Sequence, residues 1–144
     1  MPKKSCGCIV MCGDEPKTLL VRTAYSGHWM WPKGRQRKGE SEPECALRET
    51  REETGIENLV IVNGFQHEFT YTKKDVPKDE SRIGKKLLVY IALTPALVKP
   101  SFNPQEIEAA KWVSLEKAVD AITRPSAKYG MTLAVRHMMR NYYA

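Results

Sequence analysis

The sequence of 144 residues has no long hydrophobic run and few cysteines. No apolar stretch approaches the roughly 18 residues of a membrane-spanning helix, so no such helix and no membrane partner are predicted. The N-terminal stretch has two lysines but too short an apolar segment for a signal peptide. The four cysteines contain no Cys-x-x-Cys pair, which favours buried free thiols over a metal site. These absences predict a cytoplasmic protein.

Patterns typical of nucleic-acid-binding modules are also missing. No zinc-finger, RNP or helix-turn-helix pattern occurs, so a nucleic-acid partner is not expected, apart from an RNA 5′ end. The sequence has no repeat, linker or low-complexity segment. Its length is sufficient for one domain with a buried core, and a single domain spanning 1–144 is predicted.

Acidic residues are the minority charge, at 17 against 23 lysines and arginines, which gives a net charge of +6. Many of the acids are concentrated between Gly34 and Ile56, so the rest of the chain is strongly basic. Basic residues crowd the segments 33–38 and 73–86. A basic surface around an acidic site suits a small substrate with several phosphates, and a solvated lysine-rich surface is the alternative.

Local patterns divide the chain into alternating strands and helices. The segments predicted as strands are 5–11, 18–22, 29–31, 59–62, 65–71, 86–94 and 109–113. Residues 73–84 are predicted to form a mobile loop. Ser114 is predicted to cap a helix that runs to about Ile122, and Ser126 to cap a final helix. The predicted core side of that final helix consists of Met131, Ala134, Val135, Met138 and Tyr142.

The segment from Gly34 to Ile56 predicts a helix with an acidic face. Ser41 can act as the N-cap, with Glu44 three residues later completing a capping box, and Gly55 can end the helix. Carboxylates at i, i+3 and i+4 share one face and repel each other, so the cluster favours a bound divalent cation such as Mg²⁺ or Mn²⁺. A solvated acidic face is the alternative. The three carboxylates belong to Glu49, Glu52 and Glu53.

This segment resembles the box of the Nudix hydrolase family. One position departs from the family pattern, because Thr50 stands in an aliphatic slot. The resemblance implies an α/β/α sandwich with a central mixed sheet, in which residues 34–56 form a loop–helix–loop. It also implies hydrolysis of a phosphoanhydride in a nucleoside diphosphate linked to another group. The matching positions are Gly34, Glu40, Arg48, Glu49, Glu52, Glu53, Gly55 and Ile56.

The resemblance assigns the metal ligands. Glu49, Glu52 and Glu53 are the expected ligands of Mg²⁺, with Mn²⁺ as the alternative. The backbone carbonyl of Gly34 is expected as a further ligand, and this glycine is expected to let the backbone turn sharply toward the metal. Arg48 is expected to orient Glu52 rather than to contact the substrate.

The base that activates the attacking water has two candidates. Glu52 is the first choice within the box. Glu106 is the candidate outside it, in a loop before a predicted strand, with Glu108 as its rival and an ordinary exposed acid as the alternative for both. Because bound metal ions already acidify the water, substitution of Glu106 is expected to reduce kcat less than substitution of Glu53.

Residues outside the box resemble the asymmetrical diadenosine tetraphosphate hydrolases. In that group a tryptophan and Pro-Lys-Gly lead into the box, as in residues 28–34, HWMWPKG. The resemblance implies cleavage of diadenosine tetraphosphate to ATP and AMP, and contacts from Lys33 and Lys85 to the phosphate chain. The predicted substrate-binding residues are Lys33, Trp31, His28, Arg22, Lys85 and Tyr90.

Adenine recognition and the substrate itself have open alternatives. Tyr90, Phe69 and Tyr71 are the candidates to stack on adenine, but such an aromatic is more often a core residue than a stacking platform, and Val89 stands where the group has a tyrosine. Residues 112–118 with Arg124-Pro125 also resemble diphosphoinositol polyphosphate phosphohydrolases. An RNA 5′ pyrophosphohydrolase and a non-catalytic nucleotide sensor are further hypotheses. The oligomeric state is left open.

Overall fold

The computed structural model describes residues 4–143 and consists of one eight-stranded sheet with helices on both faces. Residues 1–3 and 144 of the predicted domain lie outside the described residues. The start of the N-terminal stretch considered as a signal peptide is therefore also outside them. Within residues 4–143, no helix has the length and apolar character needed to cross a membrane. The strands are β1 Lys4–Cys12, β2 Lys17–Thr23, β3 Trp29–Met30, β4 Lys33–Arg35, β5 Val60–Ile61, β6 His67–Thr70, β7 Lys86–Thr94 and β8 Ile107–Ser114. The helices are α1 Glu42–Thr54, α2 Leu115–Ala121 and α3 Pro125–Asn141, with a 3₁₀ turn at Glu80–Arg82.

The sheet is mixed, as predicted, and β1 lies near its centre. Strand β1 runs parallel to β7 along its whole length, and antiparallel to β2 and β4. Strand β2 also pairs with β3 and β8, and β7 with β5 and β6. Because side chains alternate across a strand, Cys6 and Cys8 face one core cluster while Ile9 and Met11 face the other.

The two faces of the sheet are covered by different helices. Helix α1 packs through Cys45 and Ala46 against the face that carries Cys8. Helices α2 and α3 cover the opposite face, with Leu115 and Met131 in the second core cluster. This arrangement confirms the predicted α/β/α sandwich. It also confirms the buried free thiols, because all four cysteines are buried and unpaired.

One short strand and one core position differ from the sequence prediction. Residues 33–35 form the short strand β4, which was not predicted because three residues that include a glycine carry almost no strand signal. Tyr142 was predicted on the core side of the last helix, but its side chain is 48% exposed because α3 ends at Asn141. The other predicted core positions of that helix are inside, and Met131, Ala134 and Met138 are fully buried.

The segment before α3 also differs from the prediction. Helix α3 has Arg124 as its N-cap, and Ser126 lies inside the first turn. The backbone N–H and the hydroxyl of Ser126 each donate to Asp75 at 2.8 Å. Asp75 is only 3% exposed and also accepts from the N–H and hydroxyl of Thr72, at 2.8 and 3.0 Å. Asp75 therefore anchors the segment 73–84 to α3 at one point, and the mobility of the rest of that loop stays a prediction.

Asp75→Asn is expected to lower the free energy of unfolding by about 2–4 kcal/mol, because an amide cannot accept all four of these hydrogen bonds. Burial alone would raise the pKa of Asp75, but its hydrogen bonds hold it below the ordinary value of 3.8. A lowered carboxyl pKa contributes stability above the unfolded-state pKa, and that contribution is lost as the pH falls through the folded-state pKa. Urea unfolding at pH 7 and below pH 4 tests this. The free energy of unfolding of Asp75→Asn should differ from that of the wild type by less at the lower pH.

Candidate active site

Helix α1 is formed and ended by the residues that predicted it. Ser41 accepts from the backbone N–H of Glu44 at 3.2 Å, and the Glu44 carboxylate accepts from the N–H of Ser41 at 3.0 Å. Gly55 ends the helix in the left-handed conformation at φ 73°, where a residue with a Cβ would be strained. The Thr50 hydroxyl donates to the Ala46 carbonyl at 2.7 Å, so the departure from the family pattern is accommodated within the helix.

Strand β4 places Gly34 directly against α1. Gly34 lies opposite Cys6 of β1, and a Cβ at this position would collide with the Glu49 carboxylate. The predicted sharp turn at Gly34 is not found, since the residue is part of a strand and its φ is not positive. Its lack of a side chain instead lets a carboxylate approach the backbone. The Gly34 carbonyl, predicted as a metal ligand, accepts from the Cys45 thiol at 3.5 Å.

Arg48 holds the acidic residues of α1 and the preceding loop together. Its guanidinium binds both oxygens of Glu40, at 2.6 and 3.0 Å, and lies 2.7 Å from Glu49. The predicted contact to Glu52 is also present, at 3.2 Å. Arg48 and the backbone N–H of Arg37 lower the pKa of Glu40 to about 2. Arg48 therefore positions three carboxylates, with Glu40 as its main partner.

Glu53 is the most perturbed carboxylate of the box. Burial raises its pKa to about 8. The charge and the backbone N–H of Lys33 lower the pKa, whereas the negative charges of Glu49 and Glu106 raise it further. Its Oε1 accepts from the Lys33 N–H at 3.4 Å. Glu106 lies in the turn before β8, where its carbonyl accepts from the N–H of Ala24 at 2.9 Å. Glu106, the candidate base outside the box, lies close enough to Glu53 for its charge to contribute to the raised pKa.

The carboxylates of the box are suitable ligands for a hard divalent cation, although they do not form a compact cluster. Glu52 is 46% exposed and faces Arg37, at 3.5 Å, as well as Arg48. Within residues 4–143, no three His, Cys, Asp or Glu side chains form a ready metal site. Burial raises the pKa of both Glu49 and Glu53, which marks buried negative charge that a cation would stabilise. Carboxylate oxygens are the ligands that Mg²⁺ and Mn²⁺ prefer, so the residues fit such an ion.

A basic cleft lies beside the box and brings together Lys33 and Lys85, which are far apart in the sequence. Arg82 completes it and donates to the Tyr25 hydroxyl at 2.6 Å. Among the described residues, the buried Tyr71 hydroxyl and one Arg82 nitrogen have no hydrogen-bond partner. Unpartnered buried polar atoms in a basic cleft indicate a site for an anionic ligand. The cavity of ≈170 Å³ is lined by Ser5, Tyr25, Lys33, Gly34, Arg35, Tyr71, Arg82 and Lys85.

The remaining predicted substrate residues lie outside this cleft. His28 lines a neighbouring cavity, where its Nδ1 is 3.0 Å from the Thr123 hydroxyl. Arg22 forms an ion pair with Glu108 at 2.7 Å and stacks on the Trp29 ring at 5.0 Å. This pairing leaves Glu108 engaged with an arginine of β2.

The aromatic residues divide between the core and the cleft. Trp31 is 0% exposed and packs edge-on against Phe69, so its predicted contact with the substrate is corrected to a core role. Tyr90 lies in the core cluster under α1, on the opposite face of the sheet from Val89. Of the three aromatic candidates for adenine stacking, Tyr71 is the one that lines the basic cleft.

Sequence reasoning missed two contributors to this region and the role of a third, Glu40. Tyr25 had no signal, because a single tyrosine in a turn is common. Arg82 was visible only as one member of the basic cluster in 73–86. Glu40 matched the family box, but its role as the main partner of Arg48 depends on how the loop folds back on α1.

The sheet lies between helices, and a carboxylate-rich helix lies beside a basic cleft. This arrangement is typical of metal-dependent hydrolases that act on phosphate substrates. The family model described as the NUDIX domain matches residues 1–134. The chain is 39% identical over 129 residues to the asymmetrical bis(5′-nucleosyl)-tetraphosphatase of Mus musculus, covering 82% of this chain and 83% of that protein. It is 31% identical over 101 residues to the RNA pyrophosphohydrolase of a Nitratiruptor strain, covering 67% and 61%.

A similar fold occurs in a crystal structure of a C. elegans Ap4A hydrolase binary complex. The TM-score is 0.79 at 22% identity, covering 94% of this chain and 98% of that one. The chain therefore belongs to the Nudix family. It is a hydrolase that acts on pyrophosphate bonds, and members of this family generally use divalent metal ions.

Proposed function

We propose that the chain cleaves diadenosine tetraphosphate asymmetrically, to ATP and AMP. The observation that carries this proposal is the position of the basic cleft. Gly34 lines the cleft, and its backbone also contacts the carboxylate face of α1, so a polyphosphate in the cleft lies next to the acidic residues. The relative from Mus musculus, named as an asymmetrical tetraphosphatase, supports the same substrate class.

Different residues of the chain would bind the phosphates and activate the attacking water. A phosphoanhydride resists hydrolysis because its negative oxygens repel nucleophiles, so an enzyme must neutralise that charge and place a water in line. Lys33, Lys85 and Arg82 would bind and orient the phosphates from the cleft. Glu52 or Glu106 would accept the proton of the attacking water.

The carboxylate face would hold the metal. Glu49, Glu52 and Glu53, with the Gly34 carbonyl, are the proposed ligands of Mg²⁺, and Mn²⁺ is the alternative ion. When bound, such an ion neutralises phosphoryl oxygens and acidifies a water molecule. Arg48 keeps the carboxylates oriented and makes no contact with the substrate.

A product analysis tests this function. The purified protein is incubated with Mg²⁺ and a panel of diadenosine polyphosphates, inositol pyrophosphates, mononucleotides and 5′-triphosphate RNA. ATP plus AMP from diadenosine tetraphosphate is the expected result. Preferred cleavage of 5′-triphosphate RNA would favour the second candidate, which the relative from Nitratiruptor supports. Tight nucleotide binding without turnover of any phosphoanhydride would contradict an enzymatic role.

Lys33→Met is expected to raise KM for diadenosine tetraphosphate by about 10–100-fold, because a charge-assisted contact to phosphate is lost. Initial rates over a range of substrate concentrations measure this effect. Lys117→Met is the matched control, since Lys117 is an exposed lysine on α2 and should leave KM unchanged. Equal KM values for both variants would exclude Lys33 from the phosphate site.

A further inference from the structure

Arg124 is a largely buried cation that forms no ion pair within residues 4–143. It precedes α3, and its side chain and backbone together are only 9% exposed. None of the ion pairs in the described part of the chain involves it. Its Nε has no hydrogen-bond partner among those residues. A largely buried side chain whose positive charge has no ion-pair partner among those residues is available to an anionic ligand.

Arg124 lines a second cavity, next to the basic cleft, with a volume of ≈390 Å³. The two carboxylates on its wall are engaged elsewhere. Asp75 accepts four hydrogen bonds from Thr72 and Ser126, and Asp79 accepts from Ser81 and lies 3.6 Å from Arg82. Two exposed lysines add positive charge at the rim. The cavity is lined by His28, Lys74, Asp75, Val76, Pro77, Lys78, Asp79, Thr123 and Arg124.

The two cavities adjoin where Asp79, which lines the second cavity, lies 3.6 Å from Arg82, which lines the basic cleft. Burial alone would raise the pKa of Tyr25, but the positive charges of Lys33, Arg82 and Arg124 lower it. The same hydroxyl therefore interacts with cations of both cavities. His28, which also lines the second cavity, has a pKa lowered by burial and by the charge of Arg124, and both effects favour the neutral imidazole.

We propose that this second cavity binds a phosphoryl group of the substrate remote from the bond that is cleaved, with Arg124 as its main ligand. The buried guanidinium supplies a fork of donors for phosphate oxygens. Neutral His28 supplies a further polar contact, and Thr123 orients its ring. This inference rests on the proposed function for the substrate class and adds a second point of contact for the polyphosphate chain.

A binding measurement on the metal-free protein tests the site apart from hydrolysis. Calorimetry with inorganic pyrophosphate, tripolyphosphate and tetrapolyphosphate should show wild-type affinity rising with chain length. Arg124→Met should abolish that rise and weaken binding of the longest chain by about 10-fold or more. Arg136→Met, which removes an exposed arginine of α3, should leave the rise intact. Equal length dependence in wild type and Arg124→Met would overturn the proposal.

Thermal melting distinguishes this role from a structural one. Because Arg124→Met removes an unpaired buried charge, it should raise the melting temperature of the ligand-free protein. A large decrease would show that Arg124 serves the fold and would overturn the proposal. If the chain hydrolyses none of the phosphoanhydrides in the panel, the proposed function fails while the length-dependent binding can still be measured.

Discussion

Glu53→Gln is expected to lower kcat by on the order of 10³-fold, whereas Glu106→Gln is expected to lower it by about 10²-fold or less. Glutamine keeps the shape of Glu53 but removes the charge that the box is proposed to offer a metal ion. Glu106 lies outside the box, in the turn before β8, and its charge contributes to the raised pKa of Glu53. Saturating-substrate rates at fixed Mg²⁺ measure both effects.

The control for these variants is Glu116→Gln, an exposed acid on α2 that should retain full activity. Melting of the metal-free proteins checks the fold, and Glu53→Gln should melt no lower than wild type because it replaces a buried carboxyl group whose charged form is disfavoured by burial. Equal losses of kcat for Glu53→Gln and Glu106→Gln would contradict the proposed division of roles.

Arg48→Lys is expected to lower kcat by about 10–100-fold and to raise the Mg²⁺ concentration needed for half-maximal rate. The arginine contacts Glu40, Glu49 and Glu52 at once, through three different nitrogens. A lysine ammonium is a single point charge and cannot hold all three carboxylates in place. The effect therefore reaches the metal through the orientation of its proposed ligands.

Arg51→Lys is a matched control for this change, because Arg51 is an exposed arginine on the same helix. Rates measured across an Mg²⁺ titration separate weaker metal binding from a slower chemical step. A Mg²⁺ dependence of Arg48→Lys identical to that of Arg51→Lys would show that Arg48 does not position the ligands.

The parts of the fold that follow from local interactions could be predicted from the sequence. Helix α1 begins with the Ser41–Glu44 capping box and ends at Gly55, and both features were visible in the order of residues. Strand β7 was predicted as 86–94, the range observed, because its apolar run is long and has clear ends. The start of α3 was misplaced because Ser126 is engaged by Asp75, about fifty residues earlier in the chain.

In the site, too, the features set by neighbouring residues could be predicted, and those set by contacts between distant segments could not. The spacing of Glu49, Glu52 and Glu53 on one helix face is a property of the sequence alone. The meeting of Lys33, Arg82 and Lys85 in one cleft depends on how three separate segments fold. Trp31 was assigned to the substrate because it precedes the box, but sequence proximity does not reveal that its side chain is fully buried.

Direct metal binding tests the central claim that the carboxylate face of α1 holds a divalent cation. Electron paramagnetic resonance can count free Mn²⁺ during titration of the substrate-free protein. The wild type and Glu116→Gln should bind Mn²⁺ equally, and Glu53→Gln should bind it at least about 10-fold more weakly. An unchanged affinity in Glu53→Gln would contradict the assignment of this face as the metal site.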